Sequence, residues 1–374
     1  LEVMKDLYLS MVLSMTFALV FAIVLPILTG TDPTMTVGAV IVLYGFVQTG
    51  FFLVIRTLTP YDPLWYYPDD VRPEGEWSMI GSLVAGGVLS LLLVVLVVGD
   101  LFGGVPGLTD LLPVSSIPRP LYMAIPVTPL AIPGVTFRIH EERIKSRDDE
   151  FPSFIRALGA SETAKQSTTT AVLKTLRKKD FGPLTEDVDD LFKRLNMRLE
   201  PNRAWQYFTA NTRSYLIQKF SEMYLVGRQM GGEPKQLGEL ISRNMNHVNQ
   251  LRQQREQATV TMIGLLYGIT AASTFAFFIG FKIVDILAGM SLDLSAGSQL
   301  DVGQLIHTGV YDLPLIQFLL LGVVMINAVL SSLIIRTVDG GHKANALLHF
   351  VMLTWIGCAV AVLTMTVVGG LLNV

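Results

Sequence analysis

Charge is scarce in this chain. Of its 374 residues only 16% are Asp, Glu, Lys or Arg, where a soluble globular chain carries about 25%. Hydrophobic residues make up 51%, and the mean hydropathy is +0.50. That balance excludes an ordinary soluble enzyme and a disordered chain alike. Cysteine is almost missing. The single Cys358 excludes a disulfide framework and any multi-cysteine metal site, and among apolar neighbours it reads as packing.

Catalytic constellations are missing too. Gly231 to Gly238 lacks the Lys and Ser/Thr with which a glycine loop cradles phosphate, so no ATP hydrolysis is expected. His140-Glu141 begins a zincin-like pattern, but position 144 is Ile and the second zinc ligand is absent. Tyr311-Asp312 resembles half of an intramembrane aspartyl protease, without the second carboxylate that chemistry requires. No cofactor, metal or nucleic-acid partner is expected.

What the chain has instead is long uncharged runs. They measure 25 residues after Asp6, 23 after Asp32, 23 after Glu76, 18 after Arg119, 25 after Glu256, 23 after Asp312 and 31 after Lys343. A helix needs about 20 apolar residues to cross a ~30 Å hydrocarbon core, and in lipid the backbone must bond internally. The expected spans are about 7–28, 35–55, 79–98, 120–137, 259–281, 313–335 and 347–371. The first is too long for a signal peptide and reads as a true span, in a chain whose upstream part is missing. The fourth holds Pro120, Pro126, Pro129 and Pro133, and either spans with a kink or re-enters. The fold class is therefore all-α, a polytopic membrane protein of about seven transmembrane helices.

Residues 138–258 hold 21 of the 28 Lys and Arg and 16 of the 31 Asp and Glu. That stretch is one polar domain between membrane domains 1–137 and 259–374. Seven spans put Lys5, Arg56, Arg72, Arg138, Arg143, Lys145, Arg147, Arg243, Arg252, Arg255, Arg336 and Lys343 on one side, leaving Arg119 and Lys282 on the other. The positive-inside rule then makes 138–258 cytoplasmic and the C-terminus extracellular.

Inside 138–258 the pattern predicts a bundle of five or six helices. Stretches 150–164 and 168–178 read as helical, with Ser167 as an N-cap for the second. Pro183 opens a helix with Leu184, Val188, Leu191, Phe192 and Leu195 on one face. A helix over 215–230 ends at Gly231-Gly232, where a left-handed cap suits glycine. Another starts at Pro234 and has no breaker before the fifth span. The basic groups Arg177-Lys178-Lys179 and Lys193-Arg194-Arg198-Arg203 either meet an acidic partner, meet anionic lipid headgroups, or are solvated faces. Lys282 and Asp285, three apart, either pair or snorkel; Asn327 suits a bond between helices. His349 sits near the inner end of the seventh span. A transporter or channel is the competing class, but neither a polar path nor repeat symmetry is visible.

Three stretches carry a resemblance: Asp149-Glu150-Phe151-Pro152-Ser153-Phe154-Ile155-Arg156-Ala157-Leu158-Gly159, then Asp180-Phe181-Gly182-Pro183-Leu184, then Gly227-Arg228-Gln229-Met230-Gly231-Gly232. They resemble the cytoplasmic domain of the type II secretion F family, whose archaeal branch contains the archaellum platform proteins. The motif match covers about 140–258. Family members carry two such domains and this chain shows one, so the other is expected before Leu1, a short homologue being the alternative. The resemblance implies a non-enzymatic platform that docks a hexameric cytoplasmic ATPase and works with other archaellum motor components. It implies coupling to insertion of archaellin or pilin subunits and, in the archaellum, to rotation. A homodimer among membrane lipids is implied as well. The basic groups are then ATPase or lipid contacts, and Gly231-Gly232 a structural cap.

Overall fold

The computed structural model describes residues 33–59, 62–66, 68, 76–102, 118–166, 168–297 and 313–372. Among these the chain is helical, and one isolated antiparallel bridge joins Trp65 to Ser214. The helices are α1 (Pro33–Leu58), α2 (Glu76–Phe102), α3 (Leu121–Val127), α4 (Ala131–Lys165), α5 (Thr169–Leu176), α6 (Thr185–Asn196), α7 (Pro201–Thr212), α8 (Tyr215–Gln229), α9 (Pro234–Gly297), α10 (Leu313–Asp339) and α11 (Ala346–Leu372). Among the described residues, six helical stretches are long and apolar enough to cross a membrane: α1, α2, the α3–α4 stretch, α9, α10 and α11. The span expected over 7–28, and the cap expected at Ser167, lie outside the described residues.

The proline-rich fourth run is continuous helix in all but one turn. α3 leads through a 3-10 turn at Thr128–Leu130 into α4. Proline costs a backbone donor, and neighbours supply replacements in a membrane. Ser90 of α2 donates to Pro126 O at 2.7 Å. Gly86 makes the approach possible, because a Cβ there would meet Pro133 Cδ at 2.7 Å. α4 then runs without a break through Pro152. Pro152 leaves Asp148 O, one turn back, without its helical donor, and Asn249 Nδ2 of α9 donates to that oxygen at 3.0 Å.

α4 and α9 make the most extensive helix pair. α9 has 64 residues, or ~96 Å at 1.5 Å per residue. Both helices carry membrane-spanning stretches at one end and bundle core at the other. Their crossing is glycine against glycine: a Cβ on Gly159 would sit 2.2 Å from Pro234 O, and one on Gly238 2.8 Å from Ile155 O.

The bundle closes over one apolar cluster drawn from α4 through α9. Phe154 is at its centre, edge-on to Phe181 at 5.5 Å and 6.0 Å from both Phe151 and Phe208. α7 contributes Trp205 and Phe208. α8 ends in a Schellman arrangement: Gly231 takes φ +85°, its N–H bonds Arg228 O at 3.1 Å, and Gly232 N–H bonds Gly227 O at 2.9 Å.

Candidate functional site

The basic residues singled out above lie at the ends of α5, α6 and α7, in three electrostatic situations. Arg177 and Lys193 share Asp189, at 3.2 and 2.9 Å; Lys193 also reaches Asp190 at 3.0 Å. These bonds hold the Asp189 carboxyl below its usual range, the Lys193 hydrogen bond contributing most. Arg177, Lys179 and Arg194 lie over the rings of Phe192, Phe181 and Tyr207 at 4.6, 5.4 and 4.3 Å, which places them without cancelling their charge. Lys178, Arg198 and Arg203 are exposed and have no side-chain partner among the described residues. The structure therefore draws Arg177 and Lys193 together on Asp189, and leaves five cations of the group without an opposing carboxylate among the described residues: Lys179 and Arg194 over their rings, and Lys178, Arg198 and Arg203 in the open.

A second constellation lies where the bundle meets the membrane helices. Arg252 of α9 takes Asp62 with two nitrogens, at 2.6 and 3.0 Å, and Asp148 of α4 with a third at 3.0 Å. Asp148 also accepts from Ser214 Oγ. The 62–66 segment is pinned to the bundle by Tyr66 N to Arg213 O at 2.8 Å and Tyr215 N to Leu64 O at 3.1 Å. Arg255 donates to Val338 O at 2.5 Å. Glu141, 4% exposed, accepts from Arg336, from the His342 backbone and from Asn345 Nδ2. His342 stacks on Phe137 at 4.5 Å, and its burial pulls the imidazole below its ordinary pKa. Lys145 pairs with Glu256 at 2.9 Å. Buried pairs like Glu141–Arg336 add little net stability, but breaking one strands a charge. Their product is geometry: the 62–66 segment, α4, α9, α10 and the bundle are locked at one level.

No family model and no solved structure matches this chain. Curated relatives do. It is 31% identical to flagella accessory protein J of Methanocaldococcus jannaschii over 376 residues, covering all of this chain and 65% of the relative. It is 30% identical to flagella accessory protein J of Methanococcus voltae over 375 residues, covering all of this chain and 66% of that relative. This chain is homologous to archaeal flagella accessory protein J along its whole length. It spans about two-thirds of the length of those relatives, just under that fraction in each case.

The homology to flagella accessory protein J, with the apolar helices, gives a multi-pass membrane protein. The polar residues flagged inside its spans are engaged. Asn327 accepts from Tyr44 OH at 3.3 Å and donates to Thr270 Oγ1 at 3.1 Å, joining α1, α9 and α10. Lys282 and Asp285 pair at 2.7 Å, and His349 meets Tyr267 OH at 3.0 Å. Cys358 is buried. No group of three or more His, Cys, Asp or Glu able to hold a metal occurs among the described residues. Sequence reasoning did not assemble the Asp62–Arg252–Asp148 and Glu141–Arg336–Asn345 groups. Asn249, Arg252 and Glu256 recur at helical spacing on α9, and that polar stripe was the available signal.

Proposed function

We propose that this chain is the membrane platform of an archaeal flagellar machine: a non-enzymatic anchor that docks a hexameric secretion-type ATPase. The observation that carries the reading is the full-length homology to flagella accessory protein J. The continuity of α4 and α9 from membrane stretch to bundle core supports it mechanically, because an unbroken helix transmits displacement over its whole length. In this reading residues 138–258 face the cytoplasm, 1–137 and 259–374 form the membrane domains, and the C-terminus is outside. The chain works as a homodimer with other motor components and couples the ATPase cycle to subunit insertion and rotation.

Docking falls on the cation surface at the ends of α5, α6 and α7, and chiefly on its unneutralised members. The test uses the full chain in nanodiscs, titrated with the cognate ATPase over a salt series. Binding should weaken as salt rises and should change ATP turnover. Reversing Lys178, Arg198 and Arg203 to Glu together should cost about tenfold in affinity or more. Reversing Lys193 alone should cost less, since Asp189 and Asp190 already offset it. Unchanged affinity in the triple variant moves the docking surface elsewhere; no binding at low salt removes the reading for this chain.

A further inference from the structure

Four uncharged runs stop at one level of the molecule. Arg138 closes one on α4, Glu256 precedes one on α9, Arg336 closes one on α10 and Lys343 precedes one on α11. In a membrane protein that level is the headgroup layer. The four helices there line a cavity of about 380 Å³.

One side of the cavity is apolar. Val260, Ile263 and Gly264 of α9 and Met352 of α11 form it, and Val260 and Met352 are 61% and 48% exposed, which opens this side to hydrocarbon. The other side is charged but internally paired. Arg138 faces Glu142 at 3.9 Å, Lys145 faces Glu256 at 2.9 Å, and Arg336 is held by Glu141 and Asp339. An anion would find no spare cation here.

What is unsatisfied is an acceptor. Asn345 lines the cavity and is 4% exposed. Its Nδ2 donates to Glu141 Oε2 at 2.9 Å. A carboxylate only accepts, so this bond fixes which way the amide points. Asn345 Oδ1 is left buried with no donor, a costly state for a polar atom.

We propose that this cavity binds the headgroup of a hydroxyl-bearing membrane lipid, a sugar or polyol. Headgroup hydroxyls donate to the Glu142 and Glu256 carboxylates, one reaches Asn345 Oδ1 as the side chains covering that atom move aside, and the chains lie along Val260, Ile263 and Met352. Gly264 leaves the space, since a Cβ there would meet nothing within 4 Å. The site stands on the membrane boundary and not on the ATPase reading.

The test is native mass spectrometry of the delipidated full chain with four lipids: a glucosyl diacylglycerol, phosphatidylglycerol, phosphatidylcholine and phosphatidic acid. The two hydroxyl-bearing lipids should be retained at one equivalent, about fivefold or more over the other two. Gly264→Leu should abolish the preference while keeping the wild-type melting temperature in phosphatidylcholine. Met352→Trp fills the same wall from α11 and should do the same. Equal retention of all four means only annular lipid and overturns the proposal. So does phosphatidic acid retained above the glucosyl lipid, which would mean charge recognition. A preference that survives both filled variants puts the lipid elsewhere. Protection by free methyl glucoside equal to that by the glucosyl lipid makes the ligand a soluble polyol and overturns the lipid assignment.

Discussion

Phe46, on membrane helix α1, is 82% exposed, whereas Phe154, in the bundle, is 0% exposed. The contrast extends to whole elements. α1 and α2 turn Val42, Phe46, Val88 and Leu91 outward, while Gln48, Thr270, Thr274 and Ser331 are fully buried between spans. Apolar side chains such as Phe277 and Phe278 are buried between spans as well; the bundle differs at its surface, where Lys178, Arg198 and Arg203 are exposed around an aromatic and aliphatic core. The difference reports the solvent around each part. In water, apolar burial supplies the driving force. In lipid it supplies almost none between helices, so close packing and polar pairs such as Asn327–Thr270 hold the spans. Equivalent substitutions should therefore have unequal effects in the two regions.

The largest expected effect is at the bundle centre. Phe154→Ala removes a ring in contact with four aromatic neighbours, and such truncations cost about 3–5 kcal/mol. Phe46→Ala, on a lipid-facing surface, should change stability by less than about 1 kcal/mol. Limited proteolysis of the reconstituted chain separates the regions. Phe154→Ala should open sites within 138–258 while the membrane helices stay protected. Simultaneous loss of protection in α9, α10 and α11 would mean that the two regions unfold as one unit.

Glycine sharpens the comparison at a smaller scale. Gly159→Ala would put a Cβ 2.2 Å from Pro234 O, a backbone atom that no rotamer change can move. Forcing α4 and α9 apart should cost about 1–3 kcal/mol. Gly264→Ala meets nothing within 4 Å and should be neutral or stabilising by up to about 1 kcal/mol, since glycine disfavours a helix interior. Thermal unfolding of the two variants side by side reads the difference. Equal melting temperatures would show that the α4–α9 crossing can adjust.

The membrane helices among the described residues were legible because absence of charge over 18 residues or more is a strong local signal. The helix starting at Pro234 was legible for another reason: no breaker interrupts it before the fifth span. α4 was harder. Pro126, Pro129 and Pro133 read locally as a kink or a re-entry, and the stretch around Pro152 read as a separate helix from about 150; the donors that compensate, Ser90 and Asn249, are 36 and 101 residues from the oxygens they reach. α7 was not singled out, since Asn202, Asn211 and the threonines dilute its pattern, although Pro201, Trp205 and Phe208 mark its start and buried face. The junction network was illegible in principle: Asp62 and Arg252 are 190 residues apart and Glu141 and Asn345 204, and pairing at such range leaves no periodicity.

The smallest expected effect is a pH slope confined to the bundle. Asp187, in the first turn of α6, is 6% exposed and 3.0 Å from Arg147. Burial pushes its carboxyl up to about 6, against the pull of Arg147. A carboxyl whose folded pKa lies above its unfolded value stabilises fully at low pH, and that contribution is lost as pH rises through the folded value. Asp187 should therefore withdraw about 1 kcal/mol from the bundle between pH 5 and pH 7. Asp187→Asn, which cannot titrate, should remove that share of the slope without touching the membrane helices. Protease protection within 138–258, followed over that range in wild type and variant, measures it. A bundle that gains stability over the same range would mean that the Arg147 pair outweighs burial, and the foot of α6 would then be held by an ion pair rather than by a neutral acid.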